Sequence, residues 1–116
     1  MHKSTITINV EMDENRVPEA ITWEATDAAG EREHKAKAMM LAFWDGADKT
    51  ALRIDLWTKS MMVDEMGDFV YQTMMTMADS YGRATNHTDM VEDMKAFSRE
   101  FYRKFREKLK ENQASR

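Results

Sequence analysis

The sequence predicts an α+β domain: a three- or four-stranded antiparallel sheet, laid out as an N-terminal meander, covered by two C-terminal helices. Three observations carry this expectation. Apolar and polar side chains alternate through several short segments of the first half, as in Ile6, Ile8, Val10 and Met12, and a period of two is the pattern of a half-buried strand. Polar clusters that favour turns separate these segments. From Ser60 onward the apolar spacing changes to three and four residues, the repeat of an amphipathic helix.

The first strand has Ile6, Ile8, Val10 and Met12 on one face and Thr7, Asn9 and Glu11 on the other. Asp13-Glu14-Asn15-Arg16 reads as a loose connection, and Pro18, the one proline, suits the start or edge of a strand. Ile21, Trp23 and Ala25 alternate with Thr22, Glu24 and Thr26, giving a second strand paired with the first, with Trp23 facing the core. Asp27-Ala28-Ala29-Gly30 breaks the pattern, and Glu31–Ala38 reads as a helical turn or an irregular lead-in.

Met39-Met40-Leu41-Ala42-Phe43-Trp44 is a short apolar run that periodicity alone leaves open between strand and helix. The strong turn Asp45-Gly46-Ala47-Asp48-Lys49-Thr50 and the clear strand after it favour an antiparallel neighbour. Pairing Asp45 with Thr50 sets Met39, Leu41 and Phe43 opposite Leu56, Ile54 and Leu52. All the bulky aliphatics then share one face. The other face receives Met40, Ala42 and Trp44 beside Arg53, Asp55 and Trp57, and a slip of one residue would put the bulky set on the wrong side.

Val63, Met66, Val70, Met74, Met77, Tyr81 and Ala84 define the apolar stripe of the first helix. Ser60 is placed near its N-cap, Asp64 and Glu65 suit the positive end of the helix dipole, and Gly82 weakens the last turns. A second helix starts near Asp89, with Met90, Met94, Phe97, Phe101, Phe105 and Leu109 on its inner face. The expected domain spans residues 4–112, with 1–3 and 113–116 frayed.

Composition narrows the function classes. The chain has no cysteine, which removes disulfides, thiolate metal sites and cysteine nucleophiles. Its longest apolar run, Ala38–Trp44, has seven residues, whereas a membrane-spanning helix needs about 20. Without a continuous apolar leader at the start, a cytoplasmic location is the default expectation. Residues 1–92 carry 9 Lys/Arg against 17 Asp/Glu, while residues 93–116 carry 8 against 4. An acidic body with one basic helix does not have the broad basic footprint of a nucleic-acid binder.

His2, His34 and His87 are scattered, and no paired-histidine spacing suggests a metal site. No phosphate-cradling glycine motif or nucleophile elbow occurs, and the adjacent carboxylates are explained by turns and helix starts. The expectation is therefore no catalytic residue, no metal and no cofactor. Among the twelve methionines, Met66, Met74, Met77, Met90 and Met94 read as adaptable core, with Met40 and Met75 off the core faces. Met40, Trp44, Arg53, Asp55 and Trp57 form the candidate partner-binding surface. They read either as a solvated Arg–Asp pair flanked by tryptophans or as an interface anchored by the residue types that most often anchor interfaces.

The segment FWDGADKTALRIDLWTKSMMVDEM, preceded by DENRVPEAITWEATD and followed by YQTMMTMADSYGRAT, resembles the GldC family of gliding-motility proteins from Bacteroidetes-type bacteria. The resemblance runs over roughly residues 4 to 110 and is most specific in LRIDLWTK, VDEM and the MAD…RAT run; Arg53, Asp55, Trp57, Lys59 and Asp64 match the family pattern. It implies a small soluble cytoplasmic protein associated with gliding motility, with an unidentified protein partner of the motility machinery or a homo-oligomer. It brings no catalytic mechanism. The alternative from a different class is an anionic-ligand module that uses the basic last helix to bind nucleic acid or acidic membrane.

Overall fold

Five strands in two antiparallel sheets and two long C-terminal helices make up the α+β fold in the computed structural model, which describes residues 1–27 and 33–114. The chain divides into two units, Met1–Met61 and Met62–Arg116.

In the first unit, β1 (Ile6–Met12), β2 (Pro18–Ala25) and β3 (His34–Ala36) form one sheet in that order. A second sheet consists of β4 (Ala38–Asp45) and β5 (Thr50–Trp57). The expected single meander is thus divided, and the division falls at Lys37. That one residue separates β3, paired with β2, from β4, paired with β5. The lead-in expected to be helical or irregular contains a strand instead: His34 pairs with Trp23 and Ala36 with Ile21. Around it His34, Ala36 and Ala38 alternate with Lys35 and Lys37, but three residues are too few for that alternation to mark a strand by itself. The break expected at Asp27–Gly30 lies outside the described residues beyond Asp27.

Ile21 anchors the three-stranded sheet. It is 2% exposed and pairs with Val10 on one side and Ala36 on the other. Trp23, expected in the core, is 38% exposed and stacks on His34, with ring centroids 4.4 Å apart. Its cross-strand neighbours are Ile8 on β1 and His34 on β3, so the ring is shared between packing and solvent.

The β1–β2 and β4–β5 turns are each built on an aspartate. The Asp13 carboxylate accepts the backbone N–H groups of Asn15 (2.8 Å) and Val17 (2.9 Å), and Arg16 takes φ 61°. This is a tight, side-chain-braced turn, not the loose connection expected. At the second turn Asp45 accepts the N–H groups of Ala47 and Asp48, and Lys49 takes φ 55°. An aspartate that bonds the backbone a few residues ahead supplies what a backbone turn otherwise would.

In the second unit, α1 (Val63–Thr85) and α2 (Thr88–Ala114) pair through Asn86, which adopts the left-handed conformation and donates its N–H to the Gly82 carbonyl. Ser60 is not the cap. Met62 occupies that position, and Glu65 reaches back to accept the Met62 N–H at 3.2 Å. The Ser60 hydroxyl instead meets that of Thr58.

The helix seam is lined by small residues. Gly67, Ala78 and Ser98 are buried; Gly82 packs against Val91, and Tyr71 packs on Tyr102 with ring centroids 4.5 Å apart. Part of the stripe expected from bulky residues lies beside this seam, since Val63, Met77 and Met90 are exposed and Phe97 is 65% exposed, whereas Phe105 packs over Gly67 within it. Small side chains let the helix backbones approach closely, so the exposed bulky ones are displaced to the flank. Met66, Met74 and Met94 are half-buried, as are Met40 and Met75.

Candidate interaction surface

The β4–β5 ribbon is set by its register. Asp45 pairs with Thr50, Phe43 with Leu52, Leu41 with Ile54 and Met39 with Leu56, which is the pairing expected from keeping the bulky aliphatics together. Directly opposed residues of an antiparallel pair point to the same face. One face therefore carries Met39, Leu41, Phe43, Leu52, Ile54 and Leu56. The other carries Trp44, Ala42, Met40 and Ala38 on β4, opposite Ala51, Arg53, Asp55 and Trp57 on β5.

All five residues expected at the partner-binding surface share this second face. Trp44 is 69% and Trp57 57% exposed, and Arg53 and Asp55 are also open to solvent. Met40 differs from the other four in being half-buried. Arg53 and Asp55, two apart on one strand, form a bidentate pair: Nε donates to Oδ2 at 3.1 Å and Nη2 to Oδ1 at 2.9 Å. A planar fork on a carboxylate holds both groups in fixed positions between the two indoles. An exposed pair of this kind adds little to folding. The face also breaks the usual rule that a solvent-facing strand surface is polar, since two large aromatics stand on it.

The bulky face is open as well. Phe43, Leu52 and Ile54 are each at least half exposed. The alternation expected from the sequence groups these residues on one face, and their exposure gives the ribbon large open apolar side chains on both sides.

The base of the ribbon is fixed by the Trp57-Thr58-Lys59-Ser60 joint. Thr58 is buried; its N–H and hydroxyl both donate to the Lys37 carbonyl, at 2.8 and 2.9 Å. Lys59 donates its N–H to the Pro18 carbonyl at 3.2 Å, and its ammonium lies 2.5 Å from Asp13 and 3.4 Å from Glu19. These contacts join the end of β5 to the start of β2 and to the β3–β4 break. The joint thus fixes where the two sheets meet, a role its position before a helix did not suggest.

The Lys59 ammonium, helped by the N–H groups of Val17 and Asn15, holds the Asp13 carboxyl below its ordinary pKa, and Asp13 in turn raises Lys59 above its own. A depressed carboxylate contributes stability that is present above its unfolded pKa and lost as pH falls through the folded one. The raised lysine contributes below its unfolded pKa and loses that contribution as pH rises through the folded one. Asp13→Asn is therefore expected to lower the melting temperature at neutral pH. The gap from the parent chain should close as pH falls below the ordinary carboxylate range, which thermal melts across a pH series will show.

On α2, the basic residues sit among acidic ones. Arg103 bridges Glu100 and Glu107, each at 2.6 Å, and Lys95 pairs with Asp79 at 2.7 Å. Arg103 draws the Glu100 pKa down, and Arg106 lies over the Tyr102 ring at 5.9 Å. Among the described residues, no group of three or more histidine, aspartate or glutamate side chains is placed to hold a metal ion. No helix among them is long and apolar enough to cross a membrane.

A family model described as "Gliding motility-associated protein GldC-like" matches residues 18–107, most of the chain and all of the ribbon. No curated protein and no solved structure matches.

Proposed function

The chain belongs to this GldC-like family, and we propose that it is a non-enzymatic, cytoplasmic docking protein of gliding motility whose contact surface is the β4–β5 ribbon. The observation that carries this reading is the exposure of Trp44 and Trp57 on one strand face, with the Arg53–Asp55 pair fixed between them. Exposed tryptophan and arginine on a rigid element are the residues from which interfaces gain most of their energy. The ribbon is also braced at its base, so docking would not have to pay for ordering it.

The double variant Trp57→Ala/Arg53→Ala tests the proposal. It is expected to weaken self-association or partner capture at least about tenfold, the loss of an interface anchor. Folding stability should change by no more than about 1 kcal/mol, because both side chains are exposed. Sedimentation and pull-down behaviour identical to that of the parent chain would refute it. An anion-binding module built on α2 would behave differently, with affinity for nucleic acid or acidic vesicles falling steeply as salt rises.

A further inference from the structure

We infer that the tryptophan face of the ribbon takes a second copy of this chain, related by a two-fold axis that runs across the strands. This rests on the reading of the ribbon as a contact surface and adds the occupant and its geometry.

The face is self-complementary. A two-fold interface requires that whatever one residue meets must, in the other copy, meet it back. Along β5 the face reads Ala51, Arg53, Asp55, Trp57; along β4, at the same levels, it reads Trp44, Ala42, Met40, Ala38. Trp57, Trp44 and Met40 each have an alanine at the mirrored level, and Arg53 has Asp55. An axis across the strands, at the level of Ile54 and Leu41, lays β5 on the second copy's β5 in the opposite direction. Trp57 then meets the second copy's Ala51, Trp44 meets its Ala38 and Met40 meets its Ala42. Arg53 meets the second copy's Asp55, and Asp55 meets its Arg53.

An axis parallel to the strands matches size but not charge. It sets Arg53 over the second copy's Ala42 and Asp55 over its Met40. The crossed axis alone closes the two intrachain Arg53–Asp55 pairs, already formed at 2.9 and 3.1 Å, into a four-charge ring between four indoles. An eight-residue, two-stranded face is small, which places the contact among concentration-dependent interfaces rather than obligate ones.

Charge reversal tests both occupant and axis in the full chain. Arg53→Asp leaves two carboxylates on the face and Asp55→Arg leaves two guanidiniums, so each variant opposes like charges twice across the axis. Each is expected to raise the dimer dissociation constant at least about tenfold in sedimentation equilibrium, the scale of a lost anchor. Mixing the two variants should restore a one-to-one heterodimer, and the chain carrying both substitutions should dimerise again. Circular dichroism of each variant establishes that it is folded, and Trp57→Ala, which leaves the charges intact, gives an independent loss of dimer.

A parent chain that stays monomeric at every concentration overturns the inference, as does a mixture of folded variants that fails to associate. If the parent is monomeric but Trp57→Ala abolishes capture of another protein, the contact surface stands and the second copy does not. If neither association nor capture depends on the ribbon, both readings fall.

Discussion

Ile21→Ala is expected to destabilise the first unit by about 2–5 kcal/mol, the range for removing a large aliphatic from a closed site. Ile21 is the large aliphatic of this unit that is almost wholly buried, at 2% exposure, and it has strand neighbours on both sides at Val10 and Ala36. Deleting its methyl and methylene groups leaves a cavity that the flanking strands can close only by breaking register. Ile21→Val, which removes one methylene, should cost about 0.5–1.5 kcal/mol. Ile54→Ala, on the exposed bulky face of the ribbon, should cost far less than Ile21→Ala. Urea denaturation of the three variants makes the comparison, and equal losses at Ile21 and Ile54 would mean that the ribbon face is as well packed as the sheet core.

Gly67→Ala should have the next largest effect, on the helical hairpin. A Cβ built at Gly67 falls inside the ring of Phe105, so the substitution requires that ring to move. Alanine gains roughly 1 kcal/mol over glycine in a helix interior, whereas overpacking a closed site costs about 1–3 kcal/mol. The ring is held on α2 between Tyr102, at 6.4 Å, and the seam, so the cost is expected to win and the hairpin to lose stability. In a Phe105→Leu background the clash is relieved, and Gly67→Ala should become neutral or stabilising. Thermal melts of the two single variants and the double variant provide this cycle. A stabilised Gly67→Ala single variant would place Phe105 elsewhere.

The seam and the ribbon differ in how far the sequence discloses them. The β4–β5 register is legible because a one-residue slip would exchange a face of Leu, Ile and Phe for one of Arg and Asp, and strand alternation does not tolerate that. The same alternation places Trp44, Arg53, Asp55 and Trp57 together, so the candidate surface is readable from the order of residues alone. The helix seam is not, because hydrophobic periodicity weights large residues, while the closest approach in this hairpin is made by Gly67, Ala78, Gly82 and Ser98. Those positions carry little hydrophobic signal, and of the bulky stripe read as core, Phe105 packs over Gly67 while Val63, Met77, Met90 and Phe97 stand exposed beside the seam.

At the strand breaks the difficulty is another one. β3 is three residues long with two lysines around Ala36, too short and too polar to stand out from a loop. What makes it a strand is the pairing with β2, a non-local contact. The role of Thr58 and Lys59 is hidden for the same reason: their partners Lys37, Pro18 and Asp13 are brought near by topology. The exposure of Phe43, Leu52 and Ile54 could not be foreseen either, since a pattern that tells two faces apart does not say whether either is covered.

The three tryptophans give a direct measurement of whether the ribbon is a contact surface. Oxidative footprinting of the full chain, dilute and then at assembling concentration or in extract of its own cells, reads the accessibility of Trp44 and Trp57 against Trp23, which lies on the other sheet. Strong protection of Trp44 and Trp57 on assembly, with Trp23 unchanged, is the predicted result. Modification of Trp44 and Trp57 that stays at its dilute level under every condition would contradict the account, because the tryptophan face of the ribbon would then never be covered.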